Sequence, residues 1–168
     1  MTDVVRVVDV TKNFGHIKAL RGISLDFSKG QKTSFLGPNG AGKSTLLRII
    51  ATQMVPSAGN VFVMDEDAHT NREKAKRNIG IVGHRSFLYD ELTVLENLQF
   101  YGSFINADES EFDRVLKITD IERWKDTKSG HLSYGLRKRG DISRALLGDP
   151  PILLLDEVAA HLDSERRD

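Results

Sequence analysis

Gly37-Pro38-Asn39-Gly40-Ala41-Gly42-Lys43-Ser44, with Thr45 after it, decides how this chain is read. The stretch has the form G-x-x-x-x-G-K-[ST], a glycine-rich loop whose backbone N–H groups can converge on phosphate oxygens. Before it, Lys32-Thr33-Ser34-Phe35-Leu36 alternates and predicts a strand. After it, Ser44 to Gln53 carries apolar residues at Leu46, Leu47, Ile49 and Ile50 and predicts a helix. Strand, loop and helix in that order put the positive end of a helix dipole at the loop, so polyphosphate is the natural ligand. Lys43 is expected to reach the β- and γ-phosphates and Ser44 to hold Mg2+. The bland alternative is a glycine turn that only joins a strand to a helix.

Upstream of the loop, Val4 to Val10 and Ile23 to Phe27 alternate and predict strands, with turns at Phe14-Gly15 and Lys29-Gly30. Downstream, Pro56 and Gly59 close the helix ahead of a strand at Asn60 to Met64. Asn71 to Asn78 is charged and favours helix, and Ile79 to Val82 is a short β-branched run ending at Gly83. Strand signals then vanish between Phe87 and Gly130, where Thr93 to Leu98 and Phe112 to Ile118 have helical spacing and Ser103 to Glu111 reads as a turn. Ser133 is a candidate N-cap for a helix reaching Leu147, which Gly148-Asp149-Pro150-Pro151 ends. The greasy run Pro151 to Leu155 predicts a last, buried strand.

That last run continues into Asp156 and Glu157. Two carboxylates at the carboxyl end of a strand sit where ligands of such sheets bind. Asp156 is assigned to the metal and Glu157 to polarising the attacking water, against the plainer reading of a strand followed by a polar turn.

The composition sets outer bounds. The 168 residues, 39% hydrophobic and 29% charged, suit one globular domain with a sizeable core. Lys and Arg total 24, as do Asp and Glu, so no overall charge draws the chain to nucleic acid, and none is expected as a partner. The absence of cysteine excludes disulfides, thiolate metal sites and a cysteine nucleophile, and fits a reducing cytosol. No secretory signal is read in Met1 to Arg6, and no apolar run approaches the ~20 residues of a membrane helix, so a membrane role has to come through a partner.

Leu132-Ser133-Tyr134-Gly135-Leu136 resembles the Leu-Ser-Gly-Gly-Gln signature of ATP-binding cassette (ABC) proteins, with Tyr134 and Leu136 as departures. Phosphate loop, signature and acidic strand follow in the order of that family. The resemblance implies an α/β fold: a P-loop NTPase core with a mostly parallel sheet, an N-terminal antiparallel β subdomain and an inserted helical subdomain at about residues 88–134, all within one domain, 1–168. It further implies ATP and Mg2+ as cofactors and a head-to-tail pair in which Ser133 and Gly135 meet the γ-phosphate held by the other subunit. Phe14, 29 residues before Lys43, matches the family's adenine-stacking aromatic, with core packing as the alternative. Asp163, in Ala160-His161-Leu162-Asp163, matches the segment that crosses the dimer.

By its spacing His84 occupies the place of the family's loop glutamine, where a neutral imidazole can accept from a metal-bound water; a solvated loop histidine is the alternative. Gly83 to Thr93 with Asn97 to Gly102 resembles the ATPases of heme exporters in cytochrome c biogenesis, although Arg85 departs from Gly-His-Gln. Members of the family continue past the equivalent of Asp168 with further strands and a switch histidine, so a shortened chain with weak turnover is expected. The function implied is the ATPase subunit of an exporter, catalysed by Lys43, Glu157 and His84 and held at the inner face of the membrane by a separate transmembrane permease. A soluble cassette ATPase without a transport role, or a nucleotide-binding module without useful turnover, are the alternatives.

Overall fold

Val5, Val7 and Val10 are all buried along one long strand, β1 (Asp3–Phe14), which turns at Gly15 into its antiparallel partner β2 (Ile17–Ser28). The structure, a computed structural model, describes residues 3–156, and the chain divides into two compact units, residues 1–79 and 80–168.

In the first unit β1 also pairs with β3 (Ala58–Val63), and β3 with the two-residue β4 (Glu66–Asp67), giving an antiparallel sheet in the order β2-β1-β3-β4. Helix α1 (Lys43–Ile50) packs on β1, β2 and β3 through Leu46, Ile49 and Ile50, opposite Val61 and Val63. Each such fully buried aliphatic side chain contributes about 1.5–3 kcal/mol. α2 (Arg72–Arg77) follows β4 and buries Ala75. The helix expected to reach Gln53 stops at Ile50, since Thr52 adopts φ 59° and the last turn is closed by Ala51.

One predicted element is missing. Lys32 to Leu36 is not a strand: neither sheet includes it, and Leu36 is 92% exposed. A strand is a property of a hydrogen-bonded pair, and alternation supplies a face but no partner.

In the second unit β5 (Ile79–Val82) and β6 (Ile152–Leu155) form a two-stranded parallel sheet. β6 is not buried throughout as expected. Ile152 is covered, but Leu153 and Leu155 are 41% and 48% exposed, because this sheet has one described neighbour for β6 and side chains alternate between its faces. Helices α3 (Val94–Gly102), α4 (Glu109–Ile118) and α5 (Tyr134–Ala145) surround a core of Val94, Leu98, Phe112, Val115, Leu116 and Ile121. Two 3-10 turns, Glu122–Trp124 and Ser129–His131, connect α4 to α5.

Local chemistry starts these helices where it does. Thr93 caps α3 in a reciprocal box: its hydroxyl accepts from the Glu96 N–H at 3.1 Å, and the Glu96 carboxylate accepts from the Thr93 N–H at 2.7 Å. Asp108 caps α4 and Ser133 caps α5. Asn97, fully buried, ties α3 to its surroundings by donating to the Tyr89 carbonyl and Ser129 Oγ while its Oδ1 accepts from the Tyr89 N–H. α5 ends at Ala145 rather than Leu147, and there its carbonyl lies against Gly80 of β5.

Candidate functional site

The glycine-rich loop shapes a helix start that is left open. Gly42 caps α1 at φ 89°, in the left-handed region, and a Cβ there would lie 2.7 Å from the Ala19 carbonyl oxygen, so only glycine fits. No side chain caps α1, and its first turn holds no acidic residue. A helix N-terminus presents backbone N–H groups and the positive end of its dipole, which together favour an anion. The ammonium of Lys43 lies across the loop, donating to the carbonyls of Gly37 at 2.7 Å and Pro38 at 2.8 Å. Two of its three protons are committed there, which fixes the charge beside the loop and leaves a third donor for a phosphate oxygen. Asn39, Gly40 and Ala41 are exposed, while Ser44 and Thr45 are half-buried in the first turn of α1.

Phe14 lies at the end of β1, 46% exposed, with the Lys12 ammonium 5.4 Å from its ring centre. Its ring is thus about half covered and half exposed.

In the second unit the Asp156 N–H donates to the Val82 carbonyl at 2.9 Å, so Asp156 sits at the end of the β5–β6 pair from which Gly83 and the exposed His84 emerge. α5 repeats the electrostatics of α1. Ser133 Oγ accepts from the Leu136 N–H at 3.3 Å, Gly135 stands in the first turn, and that turn has no acidic residue. The other three α-helices do carry acid there: Glu73 in α2, Glu96 in α3, Glu109 and Glu111 in α4. Helix starts that carry their own carboxylates repel anions, so among the described residues α1 and α5 are the α-helices without that repulsion. Tyr134, which replaces the first signature glycine, is 43% exposed and stands 5.6 Å from the Lys138 ammonium. Glu157 and Asp163 lie outside the described residues.

Three residues of α5 that the sequence reading passes over also contribute. Lys138 Nζ donates to the Gly83 carbonyl at 2.8 Å, and Asp141 Oδ1 accepts from the Phe87 N–H at 2.8 Å. Arg144 donates to the Ile81 carbonyl, its guanidinium 4.8 Å from the Phe87 ring centre and 5.2 Å from that of Tyr101. Burial pulls the Arg144 pKa down from its ordinary value, and the Asp141 carboxylate partly offsets this. Burial raises that of the Tyr101 phenol, which Arg144 counters. The available signal was the spacing: Lys138, Asp141 and Ala145 recur on the stripe of α5 that faces inward.

Among the described residues no three His, Cys, Asp or Glu side chains group closely enough to hold a metal by themselves. Mg2+ takes one or two hard oxygens from protein and the rest from phosphates and water. The Ser44 hydroxyl and the Asp156 carboxylate are donors of that kind. Among the described residues no helix is long and apolar enough to cross a membrane.

The family described as ABC transporter matches residues 20–160, from near the start of β2 through the phosphate loop and the acidic strand. The chain is a member of the ABC transporter family. Nod factor export ATP-binding protein I of Rhizobium sp. (strain N33) is 35% identical to this family member over 162 residues, 94% of this chain and 53% of that protein. The chain thus spans about half the length of that relative. The probable sulfate/thiosulfate import ATP-binding protein CysA of Chlorella vulgaris is 35% identical over 165 residues, 96% of this chain and 70% of that protein. Among solved structures, dimeric MJ0796, a bacterial ABC transporter cassette, superposes with a TM-score of 0.86 at 32% identity, covering 96% of this chain and 77% of that one. The ABC cassette fold, a P-loop NTPase with an antiparallel N-terminal sheet, is therefore that of this chain. The two curated relatives are named for Nod factor and for sulfate or thiosulfate, not for heme.

Proposed function

We propose that this chain is the ATP-binding subunit of a membrane transporter, binding MgATP on residues 37–45 and hydrolysing it when two copies pair head to tail. The observation that carries the reading is the start of α1, capped by Gly42 and without an acidic residue in its first turn, with the Lys43 ammonium bound across the glycine loop beside it. Lys43 holds the β- and γ-phosphates, and the backbone N–H groups from Gly37 to Thr45 supply the remaining donors. Phe14 stacks on the adenine, and the partial exposure of its ring supports this. Ser44 and Asp156 hold Mg2+, which neutralises charge on the phosphates. Glu157 polarises the attacking water and His84 accepts a hydrogen bond beside it. Ser133 and Gly135 at the start of α5, with Asp163, address the nucleotide of the second copy; a similar cassette described as dimeric supports the pairing of two copies.

The membrane subunit is a separate chain, and this one sits against it on the inner face of the membrane. The helical part, about residues 88–134, with the segment from His84 to Leu98, makes the dock. Names of relatives for both export and import support transport while leaving the cargo to the partner. The narrower reading, heme export, rests on the resemblance of residues 83–102 alone; copurification of this chain with a heme-binding membrane protein would favour it, and with a sulfate or lipid-saccharide permease would discard it.

Calorimetric titration of the chain with MgATP, with Lys43→Ala as control and solution mass measured with and without nucleotide, tests the main reading. Saturable binding lost in Lys43→Ala, with nucleotide-driven dimers, is the expected result. No binding by a chain that is folded by circular dichroism would overturn it. Binding without turnover, unchanged by Glu157→Gln, would reduce the chain to a nucleotide-binding module.

A further inference from the structure

The three residues His84-Arg85-Ser86 are held at both ends by one helix. Lys138 and Asp141 lie three residues apart on α5, a spacing that puts them on one face. Lys138 takes the carbonyl of Gly83 at 2.8 Å, just before the bridge, and Asp141 takes the N–H of Phe87 at 2.8 Å, just after it. The Phe87 ring packs back on Gly83: a Cβ on Gly83 would lie 3.0 Å from it. Arg144, a turn further on, covers the Phe87 ring and bonds Ile81, the strand residue two before Gly83.

Packing alone does not account for these side chains. Lys138 is 3% exposed and Asp141 fully buried, and charges cost stability when taken out of water without full pairing. That pairing is incomplete, because Asp141 Oδ2 and Arg144 Nε are both buried without a hydrogen-bond partner. Aliphatic side chains would fill the same space without that cost. What they could not do is grip a carbonyl on one side of the bridge and an amide on the other. The same helix begins at Ser133, eight residues before Asp141, so about 12 Å of rigid helix joins its phosphate-directed start to the grip on the His84 turn.

We propose that Lys138 and Asp141 are positioning residues that lock the His84 turn to α5, so that nucleotide engaging Ser133 and Gly135 displaces His84 with the helix. The inference rests on the ABC reading of Ser133, Gly135 and His84. Neither residue contacts nucleotide; both act through the turn they hold, so their loss lowers turnover and leaves nucleotide binding intact.

The test compares the full chain with Asp141→Ala, Asp141→Asn and Lys138→Met, reading amide hydrogen exchange at Phe87 and steady-state MgATP hydrolysis. In Asp141→Ala, Phe87 exchange rises about tenfold or more, and kcat falls about tenfold with KM for MgATP within about twofold. Asp141→Asn, whose Oδ1 can accept the same bond, keeps exchange and kcat within about threefold of the parent. Lys138→Met retains the buried stem, loses the donor and lowers kcat at constant KM; it carries the comparison with Asp141→Asn should Asp141→Ala fail to fold. Unchanged exchange, unchanged kcat, or kcat and KM moving together in both Asp141→Ala and Lys138→Met would overturn the positioning role while parental turnover leaves the ATPase reading standing. Absence of turnover in the parent chain, by contrast, removes the ATPase reading and the positioning role with it.

Discussion

The backbone N–H of Asp156 donates to the carbonyl of Val82 at 2.9 Å, which levels the carboxyl ends of β5 and β6. Asp156 and the Gly83-His84 turn therefore leave the same end of a parallel pair, the end at which α/β sheets bind ligands. Asp156→Asn keeps the shape and this ladder bond but removes a charged oxygen. The expected outcome is a fall of about tenfold in the advantage that Mg2+ confers on ATP binding, with metal-free binding unchanged. Calorimetry with Mg2+ and with EDTA measures it, and an equal loss under both conditions would speak against a metal role.

Gly42→Ala strikes the loop through its geometry. The new Cβ would lie 2.7 Å from the Ala19 carbonyl oxygen and 2.8 Å from Leu20 Cδ2, at a backbone φ of 89°. A loss of about 1–3 kcal/mol in stability is expected, together with weakened nucleotide binding, because the first turn of α1 must shift. Urea unfolding and nucleotide titration of the same preparation report the two effects. Full stability in the variant would mean that the close approach is relieved at no cost.

Gly80→Ala tests the seam between β5 and α5 without touching any phosphate contact. A Cβ on Gly80 would stand 2.1 Å from the Ala145 carbonyl oxygen, which is backbone and cannot rotate away. Overpacking of this kind costs about 3 kcal/mol or more. The matching control is Gly130→Ala, where the nearest atoms are 3.2 Å away. A thermal midpoint for Gly80→Ala equal to that of the control would show that the strand and helix can part.

Acid should loosen α3. The Glu96 carboxyl is held below its ordinary value of 4.5 mainly by the Thr93 N–H and then by the Thr93 side chain. A depressed folded pKa stabilises above the unfolded value and is lost as pH falls through the folded one. Glu96→Gln can still accept the Thr93 N–H and does not titrate, so its unfolding midpoint should fall less steeply than that of the parent below about pH 4.5. Parallel acid profiles would rule the box out as a contributor. Thr93→Ala, which removes the other half, should cost about 1 kcal/mol at neutral pH.

Most elements were legible because their signals are local. Ser133 announces a helix start through side-chain chemistry that acts within three residues, and it is the N-cap of α5 in the structure. Within the loop from Gly37 to Ser44, the bonds of Lys43 to the Gly37 and Pro38 carbonyls span at most six residues. The strand expected at Lys32 to Leu36 failed for the opposite reason, since it depends on neighbours that residue alternation does not encode. The two-residue β4 was equally invisible, being created by its pairing with Phe62 and Val63.

The family followed from the sequence by itself, because a G-x-x-x-x-G-K-S loop, a Leu-Ser-x-Gly stretch and an apolar run ending in Asp-Glu are each written in a few adjacent residues. Which charges work from inside the protein was decided only by tertiary structure. Lys138, Asp141 and Arg144 read as ordinary polar helix residues until β5 and the turn after it are laid against α5, 54 or more residues apart in sequence. Contacts at that separation depend on packing between elements, and no local pattern of side chains specifies them.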